Sequence, residues 1–289
     1  MPVSPELGAA TTALSDEPVL PETSARCDVR RVRDGQETQD QDLIIEETPV
    51  ALVFNGVSHA VMLASPGDVE DFAVGFSLSE GILDNASDIY DLEVRSECAG
   101  IVVSLTIASQ RFAALKERRR NLAGRTGCGL CGVESLEALA LHHGGRVCVS
   151  PAPEISGEAI ENGLRQLPRW QPLRQLTGAS HGAAWCDWQG NIQLLREDVG
   201  RHNALDKLVG AMARQKMPDR HGFALISSRA SYEMVQKTVR AGIPALVAVS
   251  APTALAVRMA RASGLALIGF ARPGQRVVYS PLSEPGQPS

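Results

Sequence analysis

Phe223-Ala224-Leu225-Ile226-Ser227, Ala245-Leu246-Val247-Ala248-Val249 and Leu265-Ala266-Leu267-Ile268-Gly269-Phe270 are three short apolar runs. Tyr232 to Ala241 and Thr253 to Ser263 lie between them and read as helices, the second stopped by Gly264. Alternation of short apolar strands with helices of about ten residues implies right-handed crossovers and a mainly parallel sheet. After the third strand, Pro273-Gly274 turns the chain into Arg276-Val277-Val278-Tyr279. Ligands of such sheets bind beyond the carboxyl ends of the strands. The segments to watch are therefore Ser227–Ser231, Ser250–Thr253 and Phe270–Gln275.

The earlier chain has a different pattern. Val50-Ala51-Leu52-Val53-Phe54 ends at Asn55-Gly56, a strong hairpin signal, and Val57 to Leu63 is the natural return strand. Ser65-Pro66-Gly67-Asp68 then leads into a helix over Val69 to Glu80, with Asp68 as the expected N-cap and Gly81 as the stop. Ile101 to Ile107 is another β-rich segment.

The chain has 289 residues, 44% hydrophobic and 21% charged, which is ordinary for a globular protein large enough to bury a substantial core. Aromatics at 4% argue against a stacking platform for single-stranded nucleic acid, and a net charge of −5 argues against general affinity for nucleic acid or anionic membrane. No apolar run approaches the roughly 20 residues that span a bilayer. Met1 to Ser24 lacks the form of a secretion signal and, with its prolines, acids and small polar residues, reads as a disordered tail. Of six cysteines only Cys128 and Cys131 are close together, so reduced thiols in the cytoplasm are the expectation.

Gly127-Cys128-Gly129-Leu130-Cys131-Gly132 is the most informative stretch. Its glycines give a flexible backbone that lets a thiol approach a partner closely. Upstream, Lys116, Arg118, Arg119, Arg120 and Arg125 stand against Glu117 alone, a local charge of about +4. Nearby cations favour the nucleophilic thiolate and could attract an anionic cofactor, which suits a cysteine that accepts sulfur and passes it on. Structural zinc, a thioredoxin-like redox pair and a plain structural loop are the competing readings. Zinc lacks a second tightly spaced ligand pair, His142-His143 being the only nearby histidine cluster. A redox motif would open a helix after a strand, without so many glycines. No metal site is expected.

Thr177 to Trp185 leads into Glu197-Asp198-Val199-Gly200-Arg201-His202-Asn203-Ala204-Leu205-Asp206-Lys207-Leu208-Val209-Gly210. Leu205, Leu208, Val209 and Met212 follow helical spacing and should face a core. Arg201, His202, Asn203 and Asp206 crowd another face, where His202 and Asp206, four apart, could meet. Solvated surface would explain them, although the density of different polar types weighs against it. Zinc deaminase chemistry needs a His-x-Glu pair and a later Pro-Cys-x-x-Cys, and neither occurs.

Together these motifs resemble the formate dehydrogenase accessory sulfurtransferases, the FdhD family. The matching pieces are Glu46-Glu47, Ser65–Asp68, Gly75-Phe76, Glu80-Gly81 and the Gly127–Gly132 cysteine motif, followed by Glu197–Lys207. Ser231-x-Glu233-Met234-Val235, Gly242-Ile243-Pro244 and Ser250-Ala251-Pro252-Thr253 complete the set, covering nearly all of residues 29 to 280 in order.

The resemblance implies an α/β fold, a cytidine-deaminase-like three-layer sandwich with a smaller α+β N-terminal subdomain. The chain then divides into a tail (1–26), the α+β subdomain (27–125), a mobile cysteine loop (126–132), the deaminase-like subdomain (133–280) and a second tail (281–289). It further implies a homodimer that accepts persulfide sulfur from a cysteine desulfurase and transfers it to the metal of the molybdenum (or tungsten) bis-guanine-dinucleotide pterin cofactor, activating formate dehydrogenase. Cys128 lands on the usual persulfide carrier and Cys131 on an assisting thiol. Phe270, Ala271, Arg272, Pro273, Gly274 and Gln275 match the segment that helps bind the cofactor, and the Arg272 guanidinium suits a phosphate beyond a strand's carboxyl end. The chain departs from the family at Ala179 and Ser228, where members often carry glycine, and the added side chains restrict a close backbone approach. A rival reading is a chaperone that binds and inserts the cofactor, its cysteines serving only as contacts.

Overall fold

A computed structural model describes residues 20–123, 148–217 and 221–280, with side chains only to residue 117 in the helix that ends at Ala123. Cys128, Cys131, both expected tails beyond these limits and the expected cysteine loop lie outside the described residues.

Three sheets are present among the described residues. β1 (Ser24–Arg33) and β2 (Gln36–Ile45) form a two-stranded ribbon, so regular structure begins three residues inside the expected N-terminal tail. β3 (Thr48–Phe54), β4 (Val57–Ala64), β5 (Ile89–Glu97) and β6 (Gly100–Ile107) form a four-stranded sheet in the order β4-β3-β6-β5. Asn55 and Gly56 both adopt positive φ (46° and 80°), the type I′ geometry that the Asn-Gly pair announces.

The larger sheet runs β12-β11-β10-β9-β7-β8. β9 (Gly222–Ile226), β10 (Ala245–Ala248) and β11 (Ala266–Arg272) are parallel, as the strand–helix alternation requires. β7 (His181–Asp187), β8 (Ile192–Asp198) and β12 (Gln275–Ser280) are antiparallel additions, so the whole sheet is mixed rather than mainly parallel. The reason is loop length: tight turns at 188–191 and 273–274 leave no room for a crossover.

Helices α5 (Arg201–Arg214), α6 (Tyr232–Arg240) and α7 (Ala254–Ser263) cover one face of that sheet, and α3 (Gly157–Gln166) covers the other. Leu205, Leu208, Val209 and Met212 of α5 are buried, as their spacing predicts. Helix α1 (Val69–Ser79) packs Val69, Phe72 and Phe76 into the four-stranded sheet, and Leu115 of α2 (Ser109–Ala123) joins that core.

The two halves meet where α1 crosses α5. A Cβ on Gly75 would lie 1.7 Å from the Asp206 carbonyl oxygen, and one on Gly210 would lie 1.8 Å from that of Asp71. Only glycines let the two backbones approach so closely. Polar groups frame the contact: Asp71 pairs with Arg196 (2.7 Å) and Arg214 (2.6 Å), and buried Lys237 bridges Asp206 (2.9 Å) and Glu80 (2.6 Å). Burial works against the Lys237 charge, and the Asp206 and Glu80 carboxylates outweigh it, raising its pKa.

Two local expectations fail here. Asp68 stands before α1 but is left-handed (φ 55°), makes no cap bond, and leans toward Arg196 at 3.5 Å. Asp206 faces the α1–α6 seam rather than His202, because its carboxylate finds Lys237 and the Ser79 hydroxyl (2.5 Å) there.

Candidate functional site

The site grows from the carboxyl ends of β9, β10 and β11. Because β7 is antiparallel to β9, its first residue, His181, lies at this same end, beside the last residue of β8, Asp198. Hydrogen bonds stitch the loops across the edge. Ser227 N–H donates to Gly182 (2.9 Å), Ala230 N–H to Ala251 (3.2 Å), and Phe270 N–H to Ser250 (3.1 Å). Segments 227–231, 250–253 and 270–275 are thus joined along one edge.

Asp198 fixes the turn that enters α5. Its fully buried carboxylate receives Lys207 Nζ (2.6 Å), Ser65 N–H (3.0 Å), Gly200 N–H (2.8 Å) and Asn203 Nδ2 (3.0 Å). Lys207, equally buried, also donates to the Ser65 carbonyl (2.9 Å), while the Ser65 hydroxyl accepts Val199 N–H (3.0 Å). Four donors on one carboxylate satisfy a charge that burial would otherwise make very costly. The Ser65-Pro66-Gly67-Asp68 segment and the Glu197–Lys207 run, far apart in sequence, thus form one hub that aims Arg201 and His202 at the strand ends.

His202 Nε2 lies 2.8 Å from Glu233 and 3.5 Å from the Ser231 hydroxyl, both at the start of α6. The hydrogen bond from His202 holds the Glu233 carboxyl below its usual range, against the effect of burial. Burial lowers the His181 pKa, and the neighbouring Arg201, Arg174 and His202 lower it further, opposed by Asp198. Glu197 is occupied elsewhere: it accepts the N–H groups of Leu173 and Arg174 (2.9 Å each) at the start of α4 (Pro172–Thr177), and the Ser180 hydroxyl.

Several buried polar atoms on this edge have no partner among the described residues: His181 Nδ1, Arg201 Nε and Gln171 Nε2. The Gln171 amide presses against Gly182, where an added Cβ would stand 2.5 Å from Nε2. With Asp198 spent on Lys207 and Glu233 on His202, the local carboxylates leave the Arg174 and Arg201 guanidiniums in a cationic pocket beside His181, whose own charge burial disfavours. Such a pocket suits an anion, and α5 presents its first N–H groups there without a side-chain cap.

The stretch Phe270–Gln275 lies on the same edge but extends past it. Phe270 takes φ 50°, a strained value for a bulky side chain, at an irregularity in the β11–β12 ladder between Gly269 and Arg272. Ala271 is buried and Arg272 is exposed. Gly274 N–H donates to Glu161 of α3 (3.1 Å), which draws the hairpin toward the face opposite α5 and α6. No hydrogen bond or ion pair joins Arg272 to the His202 group among the described residues. His181, Arg201, His202, Ser231 and Glu233 were not among the sequence-derived site residues. The polar density of the Arg201–Asp206 stretch was the available signal.

Among the described cysteines Cys27, Cys98 and Cys148 are exposed and Cys186 is buried, none in a disulfide. Burial pushes the Cys186 thiol far up, so it is not a nucleophile. No group of His, Cys, Asp or Glu is poised around a metal among the described residues. Nor is any described helix long and apolar enough to cross a membrane.

The FdhD/NarQ family model matches residues 45–284. The chain belongs to the FdhD/NarQ family. It is 51% identical to the sulfur carrier protein FdhD of Xanthomonas euvesicatoria pv. vesicatoria, over 93% of this chain and 94% of that one. It is likewise 51% identical to the protein of that name in Cupriavidus necator, over 96% and 94%. In fold it resembles a crystal structure from Desulfotalea psychrophila described as a formate dehydrogenase accessory protein, with TM-score 0.70 and 22% identity over 90% of this chain and 98% of the other. An FdhD/NarQ member therefore presents the Asp198 hub and the cationic strand-end pocket on a mixed α/β frame of several sheets.

Proposed function

We propose that the protein is a sulfurtransferase, in which Cys128 carries sulfur as a persulfide and delivers it to a nucleotide-bearing molybdenum cofactor for formate dehydrogenase. The Cys128 thiolate attacks the outer sulfur of a cysteine desulfurase persulfide. The S–S bond of the donor breaks, its inner sulfur leaves as a thiolate, and Cys128 keeps the S–SH group. Cys131 assists relay or resolution. The acceptor, Mo-bis(molybdopterin guanine dinucleotide), is the substrate, and its diphosphates would be met at the strand ends.

The observation that carries this reading is the likeness to sulfur carrier proteins named FdhD across nine-tenths of the chain, together with the Cys128–Cys131 motif. The cationic edge at Arg174 and Arg201, with the unpartnered buried atoms of Arg201 and His181, supports an anionic acceptor. Phe270–Gln275 is assigned to the cofactor's second contact, because its exposed Arg272 is the last residue of β11, at the carboxyl end of the strand. The helix layers on both faces of the larger sheet support a deaminase-like sandwich for residues 133–280, set against an α+β subdomain over 27–125. The protein acts in the cytoplasm as a homodimer.

Incubation with a cysteine desulfurase and labelled cysteine should load Cys128, read by mass spectrometry of the intact chain and its peptides. Equal loading of Cys128→Ala would overturn the assignment. If the Cys128→Ala, Cys131→Ala double variant still supported formate dehydrogenase activity, a role in cofactor insertion alone would replace sulfur transfer.

A further inference from the structure

Helices α1, α5 and α6 end beside one another, and each ends in the same way. Ile82 N–H donates to the Ser77 carbonyl (2.9 Å), Met217 N–H to that of Met212 (3.2 Å) and Ile243 N–H to that of Thr238 (3.1 Å). In each case the residue just before the donor is left-handed, which is the Schellman pattern. That residue is Gly81 (φ 66°) after α1 and Gly242 (φ 67°) after α6, but Lys216 (φ 48°) after α5. Glycine takes this conformation without cost, and a lysine does not.

Between the three ends lies a cavity of about 480 Å³. Small-molecule sites occupy roughly 300–1,000 Å³, so the volume is sufficient for a ligand. Its wall is aliphatic, made by Leu78, Leu83, Val209, Met212, Met217 and Ile243, with no aromatic side chain in the lining. Unbranched methionines let such a wall follow a flexible chain rather than a flat ring. The charged residues of the lining are Asp84, Lys216 and Arg240. Asp84 is engaged by Arg111, and the Arg240 guanidinium lies against Gly81 at the end of α1. Lys216 is exposed and has no ion pair among the described residues.

We propose that this cavity binds a free medium-chain aliphatic carboxylate, its chain along the Leu78–Ile243 wall and its carboxylate at Lys216 and Arg240. The charge balance selects the anion. Each helix end carries about half a negative charge, so the bare rim would favour a cation. Lys216 and Arg240 together outweigh the three ends, and Lys216 supplies the margin. A lysine side chain at a position that favours glycine thus sets the sign of the site.

The cavity is separate from the strand-end pocket. Arg201 opens α5 at the pocket and the cavity lies at the other end of that helix, 14 residues on, so about 20 Å of helix divides them. None of the residues assigned to sulfur transfer lines the cavity, and the inference goes beyond that reading without resting on it.

The test is calorimetry of the full chain with decanoate, octanoate and decylammonium, each below the concentration at which it forms micelles, with Tm followed in parallel. Decanoate should bind at one site and raise Tm. Octanoate should bind about fifteenfold more weakly, the effect of two buried methylenes. Decylammonium, of the same chain length and opposite charge, should bind at least about fivefold more weakly than decanoate. Lys216→Gly installs the residue that φ 48° favours and so keeps the fold. It should weaken decanoate about fivefold, the scale of one exposed ion pair, and strengthen decylammonium. Ala213→Phe, which fills the cavity from α5, should abolish decanoate binding. Neither heat nor a Tm rise with decanoate, octanoate or decylammonium bound as tightly as decanoate, or unchanged decanoate affinity in either variant would each overturn the proposal.

Discussion

The α1–α5–α6 seam and the strand-end pocket are built from the same residue types, and they differ in what is left unpaired. At the seam every charge is answered: Asp71 by two arginines, Lys237 by Asp206 and Glu80, with glycines closing the backbones. At the pocket the hub is closed equally well, yet His181 Nδ1 and Arg201 Nε are left at the strand ends without hydrogen-bond partners among the described residues. Buried ion pairs that answer only each other hold structure, and buried polar atoms left without a protein partner are where a ligand is to be sought. The two lysines make the point within one molecule, since Lys207 and Lys237 are both buried but neither is offered to a substrate.

Removing half of a closed pair should do the most damage. Asp198→Ala leaves Lys207 charged and uncompensated, with a loss of about 3–5 kcal/mol expected in denaturant unfolding. Were the loss within about 0.5 kcal/mol, the hub would not be the anchor described.

Next comes the seam itself. Gly210→Ala places a methyl on the Asp71 carbonyl, and parting the helices should cost about 1–3 kcal/mol, read as a lower Tm. An unchanged Tm would show that the crossing can relax.

The pocket should respond in the opposite way. Arg201→Gln should change stability by no more than about 0.5 kcal/mol. The same change should weaken GDP binding by calorimetry about tenfold, the scale of one lost charge-assisted hydrogen bond. Equal affinity would move the anion elsewhere, with Arg272→Gln as the next variant to measure.

The smallest effect is in pH. The folded pKa of His181 lies below its unfolded value, through burial and then Arg201, so between the two the unfolded chain binds more protons. Its contribution is complete above the ordinary histidine range and is lost as pH falls through it. His181→Asn should flatten that part of the stability profile, and an unaltered slope would mean that the imidazole is solvated.

The strands at Val50–Phe54, Ile101–Ile107 and 223–270, the Asn55-Gly56 hairpin and the apolar stripe of α5 were legible in the sequence. Period and turn chemistry are local, and a few neighbouring residues carry them. The same information misplaced Asp68 and Asp206. Both have the right residue type for a cap or a surface pair, and Arg196 and Lys237, respectively 128 and 31 residues along the chain, took them instead. β7 and β8 are not legible because their polar or small residues give no clean alternation.

By itself the sequence determined the α/β class, the family and the cysteine motif, since each is written in contiguous residues. Only the tertiary structure decided that Ser65, Asp198 and Lys207 form one hub and that His181, Arg201, His202 and Glu233 share an edge. The reason is physical: a polar side chain carries no record of its partner, and burial makes the choice by leaving some charges answered and others open.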